Sequence, residues 1–372
     1  MAATQEALYR EIDLELSWSE ADLPERERTK HVHRLHPYLG KFIPQLVEVL
    51  LDRYFAPGQR VLDPFAGSGT TLVQALESGL DATGVDVAAF NCLLMRVKTA
   101  RYDELLLESE LRDACRRLLA CEAMSQGQSL GRGYVGQWFA PQAAAELLFW
   151  RGLVDEYEHA DVLRVVLARA ARSARRTTHF DLDFPRAPQL EPYWCHKHRR
   201  TCRPVETARQ FLSRYALDTL ARIKQFAHAR ARAREADVLH GDARSLALAG
   251  PFDGIVTSPP YPGLIDYHEQ HRYAYELLGL DDLRDLELGA AAGGTSRPAI
   301  EAYCDGIVAV LARARDSLRA GAPFMIVVND RRDLYPEILD RAGLRLEQRR
   351  HVNRRTGRRA GEFFEDVLVA YP

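Results

Sequence analysis

The chain has 372 residues, a formal net charge of −2 and a hydrophobic fraction of 47%, enough to bury one large core or two modest ones. No apolar run approaches the roughly 18 residues of a membrane span, and the N-terminal MAATQEALYREIDLELSW places acidic residues where a secretion signal has an apolar stretch. Six cysteines in a chain of this length do not make a disulfide scaffold, so a reducing cytoplasm is the expected compartment.

Residues 1–30 read as a polar helical arm. The stretch from His31, HVHRLHPYLGKFIPQL, then leads into a helix over Leu46 to Tyr54. Here Lys41 is placed to meet a carboxylate and Phe42 to wall a pocket. His31, His33 and His36 are expected at the surface and in turns rather than on a metal, because His and Pro side by side suit a loop entering a helix.

Val61 to Asp86 is the most informative stretch. Val61 and Leu62 end an apolar run of buried-strand type. Asp63 to Thr70 make a Gly-rich turn, and Thr71 to Ser78 carry Leu72, Ala75 and Leu76 at helical spacing. Gly79 closes the helix, and Ala82 to Val85 form a second strand ending at Asp86. Strand, glycine turn, helix, strand and acidic residue is the order of a nucleotide-binding βαβ unit. In it Gly67 and Gly69 admit a ligand close to the backbone, and Asp86 is placed to hold ribose hydroxyls.

Instead of a third strand, helical patterns follow over Tyr102 to Ala123, Ala140 to Ala174 and Val205 to Ala233, with a Pro- and aromatic-rich loop over Thr177 to Pro204. We take 101–235 as an insertion between two parts of a catalytic domain, 31–100 and 236–372. From Arg164 to Arg234 there are 17 Lys and Arg against 5 Asp and Glu, and Arg349 to Arg359 holds six arginines and no acid. Such blocks suit a polyanion, so Arg175, Arg176, Lys197, Arg199, Arg200, Arg354 and Arg355 are candidate nucleic-acid contacts; the competing reading is solvated helix faces.

Within the insertion, YWCHKHRRTC (193–202) offers Cys195, His196, His198 and Cys202 as zinc-type ligands. The spacing is not CxxC, however, and adjacent Cys195 and His196 fit one tetrahedral site poorly. A basic loop with Tyr193 and Trp194 suits phosphate contact and base stacking instead, and no metal is assigned.

The sheet resumes at Asp237 in a strand ending at Asp242, whose competing role is to cap a helix beginning near Arg244. Ile255-Val-Thr-Ser-Pro-Pro-Tyr261 follows, and its two prolines end a buried strand in a stiff loop. Pro262 to Gly279, rich in Tyr and His, is expected to shape a target pocket, and Ala290 to Gly294 a lid. Glu301 to Arg319 reads as an amphipathic helix and Ala322 to Val328 as a buried strand. An antiparallel strand pair closes the chain.

DPFAGSGTT and TSPPY together resemble the S-adenosylmethionine-dependent amino-methyltransferases of DNA. The resemblance is specific for Leu35 to Val87 and Asp237 to Tyr261. It implies an α/β, Rossmann-like seven-stranded sheet carrying the helical insertion, with S-adenosyl-L-methionine as cofactor. It assigns Asp63, Phe65, Gly67, Gly69 and Thr70 to the cofactor's methionine part, together with the segment of Lys41 and Phe42. Asp86 goes to the ribose and Asp242 to the adenine amino group. Ser258, Pro259, Pro260 and Tyr261 are the catalytic loop. The implied partner is double-stranded DNA in a nucleoid-associated prokaryotic enzyme, with a cognate restriction endonuclease acting separately.

Chemistry is consistent with these assignments. An exocyclic amine has a delocalised lone pair, so acceptors such as the Ser258 hydroxyl and the Pro259 carbonyl must hold it near tetrahedral geometry, with the base out of the stack against Tyr261. No cysteine follows a proline, which excludes the nucleophile of carbon-5 cytosine methylation. In the family Ser before Pro-Pro-Tyr goes mostly with cytosine N4. Adenine N6, an RNA base, or a non-catalytic nucleic-acid-binding protein are the alternatives. The insertion, 101–235, is the candidate target-recognition domain, since a catalytic sheet does not by itself read base edges; it lies before the Asp242 strand, whereas the family places its recognition domain just before the catalytic strand.

Overall fold

A computed structural model describes residues 16–18, 23, 27, 29–37, 40, 43–121, 133–179, 181–182, 185–353 and 364–372. It divides into two compact units, one of residues 1–99, 229–266 and 284–372 and the other of 100–228 and 267–283. Lys41, Phe42, Arg354 and Arg355 lie outside the described residues.

Among the described residues the strands are β1 (Arg60–Asp63), β2 (Asp81–Asp86), β3 (Tyr193–Cys195), β4 (Arg200–Cys202), β5 (Ala236–His240), β6 (Gly254–Thr257), β7 (Phe324–Val328), β8 (Arg345–Asn353) and β9 (Phe364–Tyr371). Seven of them build the sheet of the first unit in the order β5-β2-β1-β6-β7-β9-β8. β5, β2, β1, β6 and β7 are parallel, and β9 is antiparallel to both β7 and β8. The expected seven-stranded Rossmann-like sheet is thus present.

The central strands β6 and β7 read as apolar runs because both faces are covered. Val61, Val256, Met325, Val367 and Val369 pack on one side with Leu46, Leu50 and Leu51 of the helix Pro44–Tyr54 and Leu72 of the helix Thr70–Glu77. Leu62, Ile255, Phe324, Ile326 and Leu368 face the other way, onto Ile307 and Leu311 of the helix Arg297–Asp316 and Ile338 of the helix Tyr335–Arg341. Neighbouring residues on one strand serve opposite layers, as the two-residue period requires.

The histidines expected at the surface are buried. His33 Nε2 lies 2.9 Å from Gln74 Oε1, His31 Nε2 2.8 Å from Glu77 Oε1, and His36 meets the Phe90 ring edge-on at 5.1 Å. Local composition could not reveal this, because their partners belong to distant helices.

The second unit is helical apart from the β3–β4 hairpin. The long helix expected over Ala140 to Ala174 is two, Pro141–Leu153 and Ala160–Ala174. The break has a tertiary cause: the buried Glu110 accepts the backbone N–H groups of Glu158 and His159 at 2.8 and 3.2 Å, capping the second helix from outside. Glu146 does the same for the helix Arg209–Ala229, accepting from Ala208 and Arg209 at 2.6 and 2.8 Å. The Tyr- and His-rich segment expected at a target pocket divides, and residues 267–283 pack in this unit with Tyr273, His268 and His271 buried. Among the described residues, no helix is long and apolar enough to cross a membrane.

Gly84 on β2 shows how tightly the sheet meets its helix. A Cβ there would lie 2.7 Å from Leu72 Cδ1 and 2.9 Å from Ala66 Cβ. Gly84→Ala should therefore cost about 1–3 kcal/mol by overpacking, read by urea denaturation, and the double variant with Leu72→Ala should cost less than the two single variants sum to.

Candidate functional site

The strand order reverses at β1 and β6. From β1 the chain steps outward to β2 and β5, from β6 outward to β7, and a crevice opens at the carboxyl ends of such a pair. β1 and β6 run parallel with Val61 opposite Gly254 and Leu62 opposite Ile255, so the turn after Asp63 and the loop after Thr257 leave from the same edge.

Asp63 joins them. It is 0% exposed; Thr257 Oγ1 donates to its Oδ1 and Thr71 Oγ1 to its Oδ2, both at 2.6 Å, and the Phe65 backbone N–H adds 3.1 Å. With no surface exposed, Asp63 positions the turn rather than facing a ligand. Burial pushes its pKa up to about 6, against the bonds from Thr257, Thr71 and Phe65 that lower it.

The glycine turn takes left-handed backbone at Gly67 (φ 51°) and Gly69 (φ 80°), and the helix Thr70–Glu77 starts directly after it. A Cβ on Gly69 would sit 2.7 Å from Met95 Cγ, so the position excludes side chains on both counts. Thr70 is buried in the first turn of that helix, and Phe65 is partly buried against the apolar layer. The buried Lys98 donates to the Ser68 carbonyl at 2.5 Å, a brace with no sequence signal beyond one lysine in an apolar helix. Ser68 Oγ is buried with no hydrogen-bond partner among the described residues.

Asp86 stands at the tip of β2. Its Oδ2 accepts from Gly67 N at 2.8 Å, and its Oδ1 from Ala88 N and Asn91 Nδ2 at 2.8 and 3.0 Å. The residue keeps partial exposure, yet burial of its carboxylate pushes its pKa up to about 7, opposed by those same donors. Beside it β5 ends at His240, two residues short of Asp242, and Gly241 N donates to Asp86 O at 2.9 Å. No helix begins near Arg244; Asp242 heads a turn and holds Arg244 through Nε at 2.9 Å and through its backbone N–H at 2.9 Å. Burial raises the Asp242 pKa, but the Arg244 bonds outweigh it and hold the carboxyl below its usual value.

On the other side of the crevice the Ser258 hydroxyl donates to Val327 O at 2.9 Å. Its single proton is thereby used, and the oxygen's lone pairs remain for accepting. Pro259 is buried and Pro260 partly so, and the Pro260 carbonyl accepts from Tyr303 Oη at 2.9 Å. Tyr303 in turn lies 3.0 Å from Tyr335 Oη, and Tyr261 Oη donates to Glu365 Oε1 at 2.8 Å. The sequence points to none of Tyr303, Tyr335 or Glu365, since each comes from a different element. Tyr261, Tyr303, Asp330, Arg331 and Tyr335 line a cavity of about 270 Å³ beside the loop.

The basic block behaves unevenly. Arg175 is 3% exposed, with its guanidinium 4.5 Å above the Tyr273 ring and donating to Leu182 O at 2.5 Å, so it is a packing residue and no nucleic-acid contact. Arg169 bonds Thr219 and Asp218 at 2.6 and 2.5 Å, Lys224 bonds Glu108 at 2.6 Å, and Arg209 bonds Glu146 at 2.9 Å. Arg176 is partly buried, and its backbone N–H donates to Trp138 O. Lys197, Arg199 and Arg200 are exposed on the β3–β4 hairpin, next to a Trp194 that is 58% exposed.

Comparison with known proteins extends this. The DNA methylase family model N6_N4_Mtase matches residues 5–95. Over 98% of its length the chain is 34% identical to the type II methyltransferase M.MjaII of Methanocaldococcus jannaschii, of which it spans 84%. A shorter match, 33% identical over 84 residues, covers 22% of the chain and 18% of the type II methyltransferase M.MvaI of Kocuria varians. Among solved structures, TrmN from Thermus thermophilus aligns with 90% of this chain and 50% of its own at 14% identity, with a TM-score of 0.37.

The raised Asp63 pKa has a definite sign. Between about pH 4 and pH 6 the folded chain keeps a proton that the unfolded chain has lost, so this group makes stability fall as pH rises through that window. Asp63→Asn should remove the effect. In parallel urea titrations the wild-type-minus-variant stability should drift against the wild type by up to about 3 kcal/mol from pH 4 to 6.5; parallel curves would show that Asp63 does not titrate there.

Proposed function

The chain belongs to the N6/N4 DNA methylase family of type II methyltransferases, which methylate DNA from S-adenosylmethionine, and from that premise we propose that it methylates cytosine N4 using Ser258, Pro259, Pro260 and Tyr261. The observation that carries this reading is the Asp63 bridge, which holds the glycine turn and the Ser258 loop at adjoining strand ends.

The crevice fits the cofactor in its donor set. It offers a glycine turn that admits a ligand near the backbone, an unpartnered Ser68 hydroxyl, and two carboxylates at successive strand tips. Asp86 would hold the ribose hydroxyls and Asp242 the adenine amino group, with Phe65, Gly67, Gly69 and Thr70 around the methionine part and Lys41 and Phe42 closing that side. S-adenosylmethionine supplies, when bound, the electrophilic methyl group. The remaining work falls to the protein. With its proton given to Val327 O, Ser258 accepts from the target amine, and the Pro259 carbonyl takes the second N–H, which directs the nitrogen lone pair at the methyl carbon. Tyr261, anchored on Glu365, stacks against the extruded base, and the Tyr303–Pro260 bond keeps the loop from yielding. Either base amine can donate to Ser258, and cytosine is favoured because Ser before Pro-Pro-Tyr resembles the cytosine-N4 branch of the family. The hairpin residues Lys197, Arg199 and Arg200 contact phosphates, with Arg176 behind them.

Ser258→Ala should lower kcat by about 10²–10³ while the cofactor Kd stays unchanged. Nucleoside mass spectrometry of methylated DNA should show N4-methylcytosine; N6-methyladenine would overturn the base assignment and leave the family intact. Because ionised Asp86 is the better acceptor, cofactor Kd should rise about tenfold as pH falls from 8 to 6 through its pKa of about 7. In calorimetry Asp86→Asn should bind weakly and without that slope. Reversing Lys197, Arg199 and Arg200 to Glu should weaken DNA binding by more than about tenfold at 0.1 M salt with cofactor affinity intact; equal DNA affinity would remove the hairpin from the interface.

A further inference from the structure

Methyl transfer makes no use of four side chains that converge in the helical unit. His179 follows the helix Ala160–Ala174, Cys195 and Cys202 lie on β3 and β4, and His198 sits in the turn between those strands. Their ligand atoms all fall within 4.8 Å of one another. Cys195 Sγ is 3.4 Å from His179 Nδ1 and 3.7 Å from His198 Nδ1, and Cys202 Sγ is 3.5 Å from His198 Nδ1. Around a tetrahedral zinc with bonds of about 2.3 Å to sulfur and 2.05 Å to nitrogen, each sulfur–nitrogen edge is about 3.6 Å. The three observed edges match that figure, and the remaining ones, none beyond 4.8 Å, need close by about 1.5 Å at most.

We propose that His179, Cys195, His198 and Cys202 bind one structural zinc ion, clasping the β3–β4 hairpin to the segment that leaves the helix Ala160–Ala174. The difficulty met in the sequence, adjacent Cys195 and His196 on one ion, disappears, because the exposed His196 is not in the converging set and His179 takes its place. Two thiolates and two imidazoles in a closed set select zinc over magnesium or calcium, which take oxygen ligands. On binding, the Cys195 and Cys202 thiols each release a proton to solvent and donate a sulfur lone pair to the ion. The Tyr193 hydroxyl, 2.8 Å from His179 Nδ1, yields that nitrogen to the metal and keeps the His179 backbone N–H at 3.2 Å.

The hairpin also needs such a clasp. Its strands are three residues each, and between Tyr193 and Cys202 only the two cysteines are buried. Arg199 in the turn holds a φ of 50°, a costly conformation for a residue with a side chain. A two-stranded ribbon this short has no core of its own and is marginal in water.

The test uses the full chain, purified without a His-tag from zinc-supplemented cells and desalted. Elemental analysis should give one zinc per chain, and cobalt exchange should give the sulfur-to-cobalt charge-transfer and d–d bands of a tetrahedral site. Cys195→Ser, Cys202→Ser, His179→Gln and His198→Gln should each drop the metal to about a tenth or less, whereas His196→Ala should keep it. Should ligand variants fail to fold, a mercurial titration of a Cys115→Ser/Cys121→Ser/Cys304→Ser chain replaces them, with one zinc freed as Cys195 and Cys202 are blocked. Zinc below about a tenth per chain in the wild type, retention by His179→Gln with loss in His196→Ala, or a Cys195–Cys202 disulfide in fresh protein would each overturn the proposal.

Discussion

One buried carboxylate sets the geometry of the crevice. Asp63 ends β1, takes hydrogen bonds from Thr71 in the helix after the glycine turn and from Thr257 at the end of β6, and exposes nothing to solvent. Strand pairing alone would align two backbones and leave their loops free to wander. A charge-bearing group shared between them turns two loops into one rigid edge, and a carboxylate does so more strongly than a neutral acceptor would. Burial makes that arrangement costly, as the upward shift of its pKa shows.

The same logic recurs through the chain: polar groups inside it are tethers between elements. Glu110 and Glu146 cap helices remote in sequence, Lys98 braces the glycine turn, and Arg169 ties two helices through Asp218 and Thr219. Tyr303, Tyr335 and Glu365 hold the Ser258 loop from β9 and two helices. Several of the insertion's cations are consumed in this way, so fewer stand exposed than composition suggests, with Lys197, Arg199 and Arg200 of the β3–β4 hairpin among those that do.

What the sequence could disclose follows from range. Val61 to Asp86 and Ile255 to Tyr261 are legible because turn, strand period and motif are encoded within a few residues of one another. The apolar runs of β6 and β7 are legible because burial on both faces leaves no polar residue to interrupt them. Partnership across long separations is not encoded locally. Nothing near Arg175 announces Tyr273 above it, nothing near His33 announces Gln74, and Ala140 to Ala174 looks continuous until Glu110 is seen to cap its second half. His179 is the sharpest case. It lies far enough from Cys195 that a spacing rule confined to residues 193–202 leaves it out of the set of side chains that converge there.

The pairing of β2 with β5 carries a consequence for biosynthesis. β2 ends at Asp86 and its outer neighbour begins at Ala236, so the whole helical insertion must leave the ribosome before that side of the sheet is covered. At ordinary elongation rates the edge of β2 stays bare for on the order of ten seconds, presenting unpaired amides to any other nascent chain. Helices formed over residues 100–228 in that interval shorten the span of chain between the two strands, while residues 267–283 can join their unit only afterwards.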